Sequence, residues 1–160
     1  MNIGGHGLRE HLQLLAPLFG LIAAVWVLRL VVFAAGAPAS SLWLRVISVT
    51  VFGAVSILLA VLMIHRRRFG SYANVVVATF LLACWQQVLI VAAILFTALT
   101  GITNVYSAPA FSFGESLAVH AAGHLTFGIG SGTIFGGAMG CLLLWMLRRA
   151  DRRHAVSGGQ

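Results

Sequence analysis

Polar residues interrupt this chain so rarely that the few interruptions set its organisation. Between them lie four apolar runs: Leu12 to Ala35, Leu42 to Ile64, Val75 to Leu99 and Leu125 to Leu147. Each is long enough, at about 1.5 Å per residue, to cross a hydrocarbon core about 30 Å thick. Hydrocarbon offers no partner to an open backbone group, so runs of this length predict helices. Gly36-Ala-Pro-Ala-Ser-Ser41 is a short turn that makes the first two helices antiparallel neighbours. The second connection, His65 to Asn74, is a basic hairpin with Gly70 suited to ending a helix and Ser71 or Asn74 to starting one. The expected fold is an all-α integral membrane protein: one domain over residues 1–160, four transmembrane helices in an up-and-down bundle.

The third connection, Thr100 to His124, departs from this regularity. Ser112-Phe-Gly-Glu115 has the spacing of a capping box. A helix unbroken from Phe113 to Arg149 would be about 55 Å long, well beyond the hydrocarbon core. The expectation is therefore a break near Ala121-Ala122-Gly123, with a short helix on the outer surface before the fourth span. Trp43 and Tyr106 near one boundary, and Tyr72 and Trp145 near the other, match the aromatic belts of membrane proteins, while Trp26 and Trp85 fall deeper.

Composition agrees with the pattern: 60% of residues are hydrophobic and 8% are charged, against roughly a quarter charged in globular domains. All ten basic residues are arginine, and eight of them (Arg9, Arg66, Arg67, Arg68, Arg148, Arg149, Arg152 and Arg153) share one side of a four-span chain. Arginine favours the cytoplasmic face, so both termini are expected there, in a multi-pass protein of the cytoplasmic membrane. The net charge of +7 then divides into about +6 inside and +1 outside. These clusters sit beside membrane ends with no soluble fold to present them, which disfavours nucleic acid and leaves the lipid bilayer as the expected partner. The length of the first run, with Arg29 inside it, favours a retained helix over a cleaved signal.

Within the fourth run, Gly128, Gly132, Gly136 and Gly140 recur every four residues. Association of helices in lipid rests on close backbone approach, which glycine permits, so the stripe predicts a tight contact either within the chain or with a second copy or larger membrane complex. The same step carried backwards lands on His124 and His120. Two histidines one turn apart on a helix face can ligate a metal or supply a haem ligand, and Glu115 lies close enough to join them. The competing expectation is that these rings are solvated at the outer headgroups.

Other polar groups in the spans are Arg29, near enough to the outer end to snorkel, and Gln86 and Gln87, expected at the depth of Gly136 and Gly137. Arg29, Arg45 and Glu115 share the outer half, where an arginine pairs with Glu115 or the two arginines bind an anionic lipid or lipid-linked substrate. Cys84 and Cys141 stand alone without a CxxC pair, and only three acids are present, which weighs against thiol-disulfide and hydrolytic chemistry. The favoured function is non-enzymatic: a helix-packing subunit or transporter-like protein working through the glycine stripe, without a cofactor. A metal- or haem-binding redox protein using His120 and His124 is the first alternative.

Overall fold

The computed structural model describes residues 2–108 and 116–157. Glu115 and the expected Ser112 to Glu115 capping box lie outside them. Four helical stretches are long and apolar enough to cross a membrane. They are α1 (Leu8–Ala34), α2 (Leu42–Val46) with α3 (Val49–Arg66), α4 (Tyr72–Thr100), and α5 (Leu117–Gly123) running through a π-helical turn, His124–Gly128, into α6 (Ile129–Ser157). Helices α1 and α6 each pack on both α3 and α4, which form the middle of the bundle. The core between them is built from Leu15, Leu18 and Ile22 of α1, Val61 and Ile64 of α3, Val75, Leu82 and Ile94 of α4, and Leu144 of α6.

Helix α1 starts four residues before its apolar run because the Glu10 carboxylate accepts the Gly7 backbone N–H at 2.6 Å. Ahead of it, β1 (Asn2–Ile3) and β2 (His6–Gly7) pair as a small antiparallel hairpin. Its two-residue turn, Gly4-Gly5, has positive φ at both positions, the conformation that suits the twist of paired strands. The hairpin folds back over the α3–α4 connection. There the buried Asn74 side chain donates to the Gly4 carbonyl at 3.3 Å and meets His11 Nε2 at 3.0 Å, while His6 stacks on Phe69 at 3.7 Å. Ser71 occupies the N-cap position of α4 without a side-chain bond, and Asn74 serves the hairpin rather than its own helix. Across the same end, Arg148 donates to the Gly70 carbonyl at 2.8 Å, and His65 lies 3.3 Å from Asp151.

The second span is not continuous, against expectation. It breaks at Ile47-Ser48, where Ser48 turns extended and caps α3 by accepting the Thr50 N–H at 3.2 Å. A regular helix would pair the Leu44 carbonyl with the Ser48 N–H, but that N–H turns to Val46 instead. Arg29 Nε fills the vacancy, donating to Leu44 O at 3.1 Å, and its guanidinium lies 5.0 Å from the centre of the Tyr106 ring. Arg29 therefore does not snorkel; it is buried, tying α1 to the broken span.

Tyr106 is correspondingly buried, unlike Trp43, which is exposed as a belt residue would be. Asn104 holds this loop down by donating to Ala93 O and Thr97 Oγ1 of α4 and accepting the Tyr106 N–H. Burial pushes the Tyr106 phenol from the ordinary 10.0 up to about 12, with the nearby Arg29 charge opposing the rise. The folded state thus favours the neutral phenol. Its contribution to stability is complete below about pH 10 and is lost as pH rises towards about 12. A phenolate absorbance titration of the Tyr72→Phe variant, in which Tyr106 is the sole tyrosine, should show a midpoint near 12; a midpoint near 10 would mean the ring is not buried.

Candidate functional site

The expected break before the fourth span is absent. Gly123, His124 and Ile129 all keep right-handed helical dihedrals, and the chain widens into a single π turn at His124–Gly128. The helix begins at Leu117, where Ser116 Oγ accepts the Val119 N–H at 3.2 Å. A π turn carries one residue more than an α turn and often marks a functional position. Here it holds His124, Phe127 and Gly128, each of which lines a cavity.

The glycine stripe lies against α4 and α3 of the same chain. A Cβ added to Gly128 would meet the Gln87 amide, at Gly132 it would meet Ala83, at Gly136 Ile57 and Thr79, and at Gly140 Val75 and Val61. On α4 these partners, Gln87, Ala83, Thr79 and Val75, also step by four, so the two antiparallel helices meet in constant register. Gln87 consequently sits opposite Gly128, not Gly136. The expected depth was wrong because α6 overhangs α4 at the arginine-rich end: Val75 is level with Gly140, and α6 continues to Ser157. Gln86 lies against α3 instead, where a Cβ on Gly53 would collide with its amide. Glycine leaves room for both amides, at Gly53 and Gly128.

Above the stripe, His120 is buried, unlike a ring solvated at the headgroups, and His124 is half-buried. Their centres are 4.8 Å apart, edge to face. His124 Nδ1 lies 2.7 Å from Gln87 Oε1; an amide oxygen can only accept, so the neutral ring carries its proton on Nδ1 and leaves Nε2 as an acceptor. Among the described residues no group of three or more His, Cys, Asp and Glu is placed to hold a metal ion. His6 and His11 belong to the opposite end with the hairpin, and Cys84 and Cys141 are both free thiols.

The histidine pair, Gln86 and Gln87 form one end of a cavity of about 760 Å³ between α3, α4 and the α5–π–α6 helix. Its length is walled by Ala54, Ile57 and Leu58 of α3, Ala83 of α4, and Phe135 and Met139 of α6. Phe127, Phe135 and Met139 are 78%, 72% and 61% exposed, so the cavity opens on the outside of the bundle rather than into its core. Ser131 also lines it, but its hydroxyl donates back to Phe127 O at 2.7 Å. No lining residue carries a formal charge at neutral pH, histidines being counted neutral. The α3 wall was missed from sequence because its residues are ordinary apolar ones; the isolated Gly53 in an otherwise bulky run was the available signal.

Of the two outer arginines, Arg29 meets Leu44 O and the Tyr106 ring, whereas Arg45 is exposed on α2.

The fold and cavity define a multi-pass, four-helix protein of membrane-spanning dimensions with a laterally open groove. No protein-family model, curated protein or solved structure matches the chain.

Proposed function

We propose that this chain is a non-enzymatic, transporter-like protein of the cytoplasmic membrane, with both termini cytoplasmic, that holds an apolar molecule with an uncharged hydrogen-bonding head in its lateral groove. The observation that carries the reading is the distribution of polarity in the 760 Å³ cavity: amide and imidazole groups at one end, aliphatic and aromatic walls along the rest. That volume is within the range of small-molecule sites, about 300–1,000 Å³. The open side faces where acyl chains lie, so a guest can enter from the bilayer without crossing water. A charged head would be costly at this depth with no opposite charge in the lining, whereas a hydroxyl or carbonyl can use His124 Nε2 and the Gln86 amide. The arginine clusters at the end opposite His120 and His124 support the orientation.

Monoolein, with an uncharged hydroxyl head and one acyl chain, is a suitable probe. Native mass spectrometry of the detergent-solubilised protein should find one retained molecule per chain. Ala54→Phe, an exposed position on the groove wall, should block it, and His124→Phe should weaken it about tenfold, as expected for loss of a hydrogen bond worth about 1–2 kcal/mol to a buried head. Equal retention by all three proteins would overturn the proposal.

A further inference from the structure

A second cavity, of about 360 Å³, lies at the arginine-rich end and is lined by Tyr72, Trp145, Arg148, Arg149 and Arg152. The four α6 residues are spaced three, four and seven apart, which puts them on one face of the helix. Tyr72 closes the site from the start of α4. The arginines are held by aromatic walls: Arg148 lies 5.2 Å over the Tyr72 ring while donating to Gly70 O, and Arg149 lies 5.1 Å over Trp145. Asp151, within the same turn, points elsewhere and meets His65. Three guanidinium groups therefore border one space with no carboxylate in its lining, and their mutual repulsion is relieved by an anion.

The shape of the donors and the surroundings of the site name that anion. Guanidinium forks match the oxygens of a phosphate, and tryptophan and tyrosine mark the level at which a helix leaves the hydrocarbon. One turn deeper, Val76 of α4 and Leu142 of α6 are 44% and 55% exposed, an apolar wall above the charged space on which an acyl chain can lie. We propose that the Tyr72–Trp145–Arg148–Arg149–Arg152 cavity binds the phosphodiester headgroup of an anionic membrane phospholipid. The site is separate from the lateral groove and takes a charged head, where the groove takes an uncharged one.

The test is native mass spectrometry of the full chain titrated separately with phosphatidylglycerol, phosphatidylcholine and inorganic phosphate. Two variants are compared, Arg149→Gln with Arg152→Gln, and Arg66→Gln with Arg67→Gln, which removes the same charge from other exposed positions at the same end. Phosphatidylglycerol should be retained by the unmodified protein and by the second pair, and weakened about tenfold or more in the first. Equal weakening in both pairs would reduce the effect to general surface charge and overturn the site. Retention of phosphatidylcholine as strong as that of phosphatidylglycerol, or of inorganic phosphate alone at similar affinity, would likewise overturn an anionic lipid as the occupant.

Discussion

Gly140→Leu will lower the stability of the folded bundle by roughly 3 kcal/mol, whereas Gly130→Leu, ten residues away on the same helix, will leave it nearly unchanged. The contrast follows from what each new side chain meets. A Cβ at Gly140 would lie 2.8 Å from Val75 Cγ1 and 3.1 Å from Val61 Cγ2. Both valines are fully buried and, being β-branched, have little rotamer freedom with which to retreat. Helices α4 and α6 would have to part at this contact. At Gly130 nothing lies within 4 Å, and leucine is the better helix former. Reversible unfolding in mixed micelles, followed by circular dichroism, measures both; equal midpoints for the two variants would mean that the stripe does not set the α4–α6 approach.

Arg29→Leu should be the next most damaging change, by about 2–3 kcal/mol. Removing a buried charge recovers its desolvation cost, which alone would favour leucine. The Leu44 carbonyl decides the outcome. Its ordinary helical partner, the Ser48 N–H, is bonded to Val46 O, so loss of the guanidinium leaves a buried acceptor without its donor, a cost of about 1–3 kcal/mol. The contact with the Tyr106 ring is lost as well. Arg29→Lys keeps the charge but not the planar fork and should fall between the two. The same unfolding assay, with hydrogen exchange of the α2 amides as a local readout, checks this. Wild-type stability in Arg29→Leu would show that the break at Ile47-Ser48 is held by something other than Arg29.

Spans one and three were legible because their runs are long and almost wholly apolar and hydrocarbon leaves the backbone no alternative to helix. Their ends were less so: the polar Leu8–His11 turn is helical through one bond, Glu10 to Gly7, which hydropathy does not register. The break after Val46 rests on a single serine and on an arginine fifteen residues before its acceptor Leu44, a long-range pairing that no local pattern records. At the site, the four-residue step that links the glycine stripe to His124 and His120 could be read from spacing, but the π turn that keeps them in phase could not. Their depth and partners could not, since the register between α4 and α6 is a property of two packed surfaces, and the overhang of α6 shifted every estimate made from span ends.

The π turn at His124–Gly128 gives that alignment its accuracy. At 3.6 residues per turn, the eight positions from His120 to Gly128 overshoot two full turns by about 80°. A regular helix would therefore turn His120 away from the face on which Gly128 meets Gln87. One residue taken up in the wider turn returns about 100° of phase, bringing His120 back over the groove and into burial. The local irregularity thus acts as a phase correction, letting one helix keep a packing surface and a polar cluster on the same meridian.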